Sequence, residues 1–197
     1  MAETGTLLPS GRSWPAQGEW TYDDWLELPD DLSRYEVIDG VLYVTPAPST
    51  HHQRAAGNLL VAMHAHARTR GLGEVFVSPI GVRLPSQPVP VEPDLVFVAA
   101  AHRAIVREAY IEGVPDLVVE ILSPSSRTYD RTRKLQLYEE NGVPEYWIVD
   151  ERAETVEVLA LESSEYVPLG AWGRGERATS RALPGFAVAV DEIFVAG

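Results

Sequence analysis

Short apolar runs alternate with amphipathic stretches along the chain, and this pattern predicts an α/β fold. Residues 117–122 are apolar except for Glu120, and a short run of this kind is typical of a buried strand. A charged helical stretch from about Tyr129 to Glu140 follows, and a second apolar run occupies residues 146–150. Strand, helix and strand in this order predict a right-handed parallel crossover, with a turn at residues 123–126.

The same patterns predict the remaining elements. Asp39-Gly40 between two apolar runs is a strong hairpin signal, and it places Glu36 on the first strand of that hairpin. Ser49 or Thr50 can cap a long helix that Gly71 ends. We also predict a short helix ending at residue 28 and strands at 74–78, 81–84, 94–98, 155–161, 166–169 and 186–190. The hairpins make the central sheet mixed.

Length and composition indicate one folded unit. The 197 residues allow a single domain over residues 19–197, preceded by a flexible tail at residues 1–18 that is rich in Gly, Pro and Ser. There are no cysteines, which excludes disulfides and thiolate metal sites. We see no secretory signal and no membrane-length apolar run, so we expect a cytoplasmic protein with no membrane partner.

The net charge of -13 constrains the partners. Broad nonspecific binding to nucleic acid depends on neutralising phosphates, and an acidic chain is poorly suited to it. A local basic cleft is still compatible with this charge. The excess of acid also fits a cluster of metal ligands whose field a bound cation would offset.

Two carboxylates and one lysine are the main candidates for chemistry. Glu120 lies inside a predicted buried strand, where a carboxylate is costly unless it is paired. Asp94 begins another apolar run. Lys134, on the predicted helix, is the only lysine among 16 basic residues, and lysine supplies a compact point charge that arginine does not. Together they suggest a site for a hard cation such as Mg²⁺, with chance as the alternative for the lysine.

Four histidines lie on the predicted long helix. His64 and His66 are two positions apart and do not share a helix face, and the adjacent His51 and His52 point apart. We therefore expect polar helix surface rather than a histidine metal cluster. His52, close to the helix start, is the one that we keep as a candidate for the site.

Taken together, several motifs resemble one family. They are Tyr35-Glu36-Val37-Ile38-Asp39-Gly40, His52-Gln53, Pro93-Asp94, the run from Val119 to Ser125, Lys134-Leu135 with Tyr138, and Glu145 to Asp150. Their order and spacing over roughly residues 22–166 resemble the Uma-type family of "putative restriction endonucleases", within the PD-(D/E)XK nuclease superfamily.

The resemblance implies a restriction-endonuclease-like core, with a mixed central β-sheet flanked by helices. It also implies that Mg²⁺, or Mn²⁺, is held by Asp94, Glu120 and the backbone carbonyl of Ile121, with Glu36 as a further acidic ligand. The expected protein is then a Mg-dependent phosphodiester hydrolase.

The chain departs from the superfamily's plain pattern at the lysine. That pattern has a lysine two residues after the second acid, where this chain has Leu122. The family resemblance assigns the role to Lys134, on the following helix. Gln53, His52 and Arg131 are tentative substrate contacts, although a capping role for Gln53 is an equal alternative and a solvated helix face is the favoured interpretation for Arg131.

The leading hypothesis is a DNA endonuclease in which Lys134 assists the attacking water, acting as a homodimer on a duplex. One alternative is a catalytically silent nuclease fold that binds nucleic acid or protein, as the acidic net charge would suit. Another is a paired-carboxylate sugar hydrolase, which gives no reason for the lone lysine. We expect Tyr138 and Trp147 to belong to the core, and Asp116 and Asp150 to be turn residues.

Overall fold

The structure is a computed structural model that describes residues 13–29, 34–45, 47–122 and 130–195. Its helices are α1 (Tyr22–Leu26), α2 (Thr50–Arg70), α3 (Leu135–Glu140) and α4 (Val190–Phe194), with a 3₁₀ helix at Ala100–Ile105 and a π-helical turn at Asp130–Lys134. Its strands are β1 (Arg34–Ile38), β2 (Val41–Thr45), β3 (Gly73–Val77), β4 (Gly81–Arg83), β5 (Leu95–Ala99), β6 (Tyr110–Glu112), β7 (Leu117–Leu122), β8 (Glu145–Asp150), β9 (Thr155–Glu162), β10 (Glu165–Trp172), β11 (Arg177–Thr179) and β12 (Ala187–Ala189).

Six strands form the central sheet in the order β10-β9-β8-β7-β5-β3. β7 and β8 pair in parallel, and the other neighbours in this sheet pair antiparallel. The mixed central sheet that the sequence predicts is therefore confirmed. The parallel pair is also confirmed, and the π-helical turn and α3 lie between its two strands. The predicted turn at residues 123–126 lies outside the described residues.

The sheet is covered on both faces. Along β7, Val119 and Ile121 pack in a cluster with Leu59 and Met63 of α2. Val118 packs in a second cluster with residues of α3. Because side chains alternate across a strand, Glu120 points to the α3 side, the same side as Val118.

The hairpin forms where the sequence predicts it, but as a separate sheet. β1 and β2 pair only with each other, so the prediction that Glu36 lies on a strand of the central sheet is wrong. Asp39 (φ 52°) and Gly40 (φ 71°) make a turn that needs positive φ at both positions. Which other strands a hairpin pairs with depends on tertiary packing, and the local hairpin signal carries no information about that choice.

Residues just before α1 contact this hairpin. The Gly18 amide donates to the Gly40 carbonyl at 2.8 Å. The Gln17 side chain accepts from the Leu42 amide at 2.8 Å and donates to the Leu42 carbonyl at 3.2 Å. The segment predicted as a tail through residue 18 therefore packs on the folded domain at its end.

The long helix begins at its expected cap. The Ser49 hydroxyl accepts from the His52 amide at 3.0 Å, so Ser49 is the N-cap and Thr50 is the first helical residue. Gly71, at φ 63°, ends the helix. With Ser49 as the cap, Gln53 is one position too far along to complete a capping box.

The C-terminal region differs from the prediction. The strand expected at 186–190 is β12, which pairs with β11 in a small separate sheet and passes directly into α4. Within the part of the chain that the structure describes, no helix has the length and apolar character needed to cross a membrane.

Candidate active site

Four charged side chains that the sequence predicts as site residues lie buried in one region. Glu36 is 2% exposed, Asp94 4%, Glu120 1% and Lys134 2%. Removing a charge from water costs several kcal/mol unless opposite charges and hydrogen bonds compensate. The partners of these four side chains therefore determine how their burial is compensated and what chemistry the region can perform.

Lys134 joins two of the carboxylates. Its Nζ lies 2.9 Å from Glu120 Oε1 and 3.1 Å from Glu36 Oε2. Lys134 is the last residue of the π-helical turn, which directly precedes α3. The only lysine of the chain thus links the hairpin to the central sheet through its ammonium group.

Arg34 joins the next pair, and sequence reasoning missed it. Its guanidinium contacts Asp94 Oδ1 at 3.1 Å and Glu36 Oε1 at 3.4 Å. Its Nε lies 3.8 Å from Glu92 Oε2. Arg34 and Glu36 are two positions apart on one strand and so share a face, which is the signal that could have identified Arg34.

A backbone contact closes the arrangement. The Ile121 amide donates to Asp94 Oδ2 at 2.7 Å. The register of β5 and β7 pairs Leu95 with Val119, so Asp94 lies across from Glu120 on the neighbouring strand. We call the resulting closed set of contacts the charged ring. In order, its members are Asp94, Arg34, Glu36, Lys134, Glu120 and the Ile121 amide.

Tyr138 contacts the charged ring from α3. It is buried in the core as the sequence predicts, and its hydroxyl also donates to Glu120 Oε1 at 2.7 Å. Burial, followed by the negative charges of Glu120 and Glu36, raises the pKa of the Tyr138 hydroxyl well above its usual value. Tyr138 therefore acts here as a hydrogen-bond donor that stays protonated.

His52 is the one histidine of α2 that reaches the charged ring. Its Nε2 lies 3.1 Å from Asp94 Oδ2, whereas His51 and His64 are exposed and His66 contacts the Pro184 carbonyl. Burial lowers the pKa of His52, but the hydrogen bond to Asp94 and the negative charges of Asp94 and Glu151 together outweigh it, so the net shift of the pKa is upward.

The two remaining tentative substrate contacts are not brought to the charged ring by any described contact. The Gln53 side chain is exposed, and its backbone amide bonds to the Ser49 carbonyl within the helix. The side chain of Arg131 lies outside the described part of the structure. Its neighbour Arg133 is exposed, 3.8 Å from Asp39.

Two acids of the charged ring, Asp94 and Glu36, are held in their ionised form. Burial raises the pKa of Asp94, but His52 and Arg34 outweigh it and bring the value to about 2. Burial also raises the pKa of Glu36, and Arg34 and Lys134 outweigh it so that the pKa lies below its usual value. Glu92 lies beside Arg34 and differs from these two acids, because burial raises its pKa above the usual value.

The donor chemistry of the charged ring suits a hard divalent cation. Carboxylate oxygens are the ligands that Mg²⁺ prefers, and the candidates are Asp94, which directly precedes β5, and Glu120 on the adjacent strand β7. Among the described residues, however, no three His, Asp or Glu side chains are already arranged as a metal-binding group. The carboxylates instead contact Arg34 and Lys134, so a metal would have to take oxygens that protein cations now hold.

Other buried acids have structural partners away from the charged ring. Asp116 accepts from the Ala99 amide at 2.7 Å and lies 2.8 Å from His102 Nδ1. Asp150 accepts from two amides of the turn that follows it, as the sequence predicts. Glu145 accepts from the Trp147 indole and from residues 180–182. These acids fix loops and turns.

The chain matches the model of the Uma2 family, described as "Putative restriction endonuclease", over residues 22–191. The chain belongs to this family. The family assignment and the fold support a nuclease, and a nuclease family implies a nucleic-acid substrate.

A solved structure has the same fold as this Uma2 family member. It is the crystal structure of a "putative nuclease belonging to DUF820" from Anabaena variabilis ATCC 29413, with a TM-score of 0.71 and 17% sequence identity. The alignment covers 88% of this chain and 97% of that chain. At this identity the likeness shows the fold alone. No protein of curated function matches the chain.

Proposed function

We propose that this protein is a metal-dependent endonuclease that hydrolyses DNA phosphodiester bonds at the charged ring. The observation that carries the proposal is the buried Lys134 ammonium between Glu36 and Glu120. A buried lysine held by two carboxylates beside a third is costly as a purely structural device, since well-packed apolar residues are often as stable as a buried ion pair.

In this proposal Asp94, Glu120 and the Ile121 carbonyl would hold Mg²⁺ or Mn²⁺, with Glu36 as a further ligand. The bound metal would supply an acidified water and polarise the phosphate. The ionised state of Asp94, whose pKa is about 2, supports this role because a metal ligand must be deprotonated.

Lys134 would act on the attacking water and on the charge that develops at the phosphate. An ammonium fixed in a water-poor site stabilises such charge without reorganising during the reaction. Glu120 orients Lys134 through the 2.9 Å contact, and Tyr138 in turn fixes Glu120 at 2.7 Å. The chain thereby keeps a donor in place for the reacting oxygen.

DNA is the proposed substrate, and His52, which reaches the charged ring, and Arg131 are its proposed contacts. Gln53 is a further proposed contact, and its exposed side chain on α2 would be accessible to a substrate. A homodimer would present two such sites to the two strands of a duplex, and closed two-fold dimers are the commonest assemblies.

The first test changes Lys134. We expect Lys134→Ala to lose cleavage of both supercoiled plasmid and single-stranded DNA in Mg²⁺ or Mn²⁺. Lys134→Arg should fall at least about tenfold despite keeping the charge, because the wide guanidinium fork does not replace a point charge. Initial rates of nicking measure this, with circular dichroism to verify folding.

Arg133→Ala is the matched control, because Arg133 is the exposed neighbour of Lys134. It should keep most of the activity. Full activity in Lys134→Arg would contradict the role assigned to the ammonium, and absence of any metal-dependent cleavage by the wild type would contradict the endonuclease itself.

A further inference from the structure

Arg34 holds oxygens that the proposed function assigns to a metal. Its guanidinium is 3.1 Å from Asp94 Oδ1 and 3.4 Å from Glu36 Oε1. A divalent cation bound to Asp94 beside this group would face a full positive charge at short range. Two positive charges at such short range repel each other, and in a partly buried site water screens this repulsion poorly. Arg34 and a metal therefore compete.

Arg34 is better placed to move than Lys134. The Arg34 side chain is 21% exposed, whereas that of Lys134 is 2% exposed. Among the described residues, Arg34 Nε has no hydrogen-bond partner, and Glu92 Oε2 lies 3.8 Å from this nitrogen. Arg34 also begins β1, a strand of the small two-stranded sheet rather than of the central sheet.

We propose that Arg34 is a built-in competitor of the metal. It pairs with Asp94 and Glu36 while no metal is bound, and it leaves Asp94 when a divalent cation enters. This inference rests on the proposed function, since it takes from it the assignment of a metal to Asp94.

The charge count explains why such a competitor is useful. Four acids lie around Arg34, and the negative charge of each stabilises the positively charged guanidinium. They are Glu36, Glu92, Asp94 and Glu120. Without Arg34, only Lys134 would give a fixed positive charge among the described contacts of these acids. Arg34 thus stabilises the fold without metal and, in return, weakens metal binding.

Calorimetric titration with Mn²⁺ tests the proposal without relying on activity. We expect Arg34→Gln to bind Mn²⁺ about tenfold more tightly than the wild type, and to show a lower melting temperature in EDTA with a larger rise on adding Mn²⁺. Arg34→Lys keeps the charge but shortens the reach, so its affinity should lie between the two. Arg133→Gln, which removes an exposed positive charge nearby, should bind as the wild type does.

Lys134→Gln separates competition at Asp94 from the loss of a positive charge elsewhere in the charged ring. It removes a charge that lies 3.1 Å from Glu36 and 2.9 Å from Glu120, whereas Arg34 lies 3.1 Å from Asp94, so the gain in Mn²⁺ affinity should be clearly smaller than for Arg34→Gln. Equal gains in the two variants would overturn the proposal.

The remaining outcomes are also decisive. If Arg34→Gln folds only when Mn²⁺ is present, the proposal is supported, and Arg34→Lys still gives an affinity to compare. Wild-type binding that neither Arg34 variant tightens overturns the competition but leaves the metal-dependent nuclease intact. If neither the wild type nor any variant binds Mn²⁺ at millimolar concentration, the metal assignment fails and the competition fails with it.

Discussion

At the residue scale, alternating charges hold the carboxylates of Asp94 and Glu36 in their ionised form. Asp94 is the clearest case, because it accepts from Arg34, His52 and the Ile121 amide at once. A carboxylate with several charged and amide donors has a depressed pKa even when buried. The stability of the protein should therefore depend on acid in a way that can be assigned to this residue.

We predict that Asp94 makes stability fall in acid. Its pKa drops from the ordinary 3.8 to about 2 in the folded protein. An acid whose pKa is lower in the folded than in the unfolded protein contributes its full stabilisation at pH values above the pKa of the unfolded state. This contribution is lost as the pH falls through the pKa of the folded state. Linkage over this window gives about 2 kcal/mol. Urea unfolding between pH 5 and pH 2 should show a drop in the wild type that is larger by this amount than in Asp94→Asn.

The exposed Asp23 gives the control for this experiment, and Asp23→Asn should follow the wild-type curve. If Asp94→Asn and the wild type lose stability in parallel between pH 5 and pH 2, the strong pairing of Asp94 is refuted.

At the element scale, the β1–β2 hairpin matters because it carries Arg34 and Glu36 to the central sheet. Its turn allows no side chain at Gly40, where a Cβ would lie 2.4 Å from the Gly18 carbonyl oxygen. The segment before α1 therefore depends on this glycine for its close approach to the hairpin.

Gly40→Ala should destabilise the protein more than Gly142→Ala. Both glycines have positive φ, 71° and 77°, and alanine there costs about 1–2 kcal/mol. At Gly142 no described atom would lie within 4 Å of the added Cβ, so only this backbone cost applies. Gly40→Ala adds the clash with Gly18. Equal midpoints in chemical unfolding for the two variants would show that the close approach has no energetic weight.

Elements with strong local signals could be predicted from the sequence. The Asp39-Gly40 turn, the capped start of α2 and the apolar runs of β7 and β8 each depend on neighbouring residues. Arg34 has one local signal, its position two residues before Glu36 on β1, but its pairing with Asp94 could not be predicted because Asp94 is 60 positions away. The independence of the hairpin sheet was missed for the same reason, since the choice of pairing partner is a tertiary property.

The candidate site was predictable for its acids and its lysine, and less so for their arrangement. An acid inside an apolar run and a single lysine are visible in the sequence. That Lys134 lies between Glu36 and Glu120, and that Tyr138 bonds to Glu120, depends on how α3 packs across the sheet. Side chains that serve both core and site, such as Tyr138, give no separate sequence signal.

At the scale of the whole molecule, the chain is strongly acidic, and the acids of the charged ring outnumber its two cations. The chain carries a net charge of -13, and three of its acids are buried in the charged ring. A cation that binds only the folded state stabilises it by mass action. Global stability should therefore report on the metal.

Mg²⁺ or Mn²⁺ should raise the melting temperature relative to EDTA. At about 100 times the dissociation constant, binding to the native state adds about 2.7 kcal/mol to stability. Asp94→Ala should lose this increase, because it removes a proposed ligand. A thermal melt series measures both proteins, and an equal shift in Asp94→Ala and wild type would argue that the cation binds elsewhere.

Metal-dependent DNA cleavage by wild type and Glu120→Gln tests the central claim most directly. Glutamine keeps the size of Glu120 but removes the charge that contacts Lys134 and would bind the metal. Nicking of supercoiled plasmid should require Mg²⁺ or Mn²⁺, stop in EDTA and fall by at least about 100-fold in Glu120→Gln, consistent with the loss of a charge-stabilising group. A folded Glu120→Gln protein that nicks plasmid at the wild-type rate would contradict the assignment of catalysis to the charged ring.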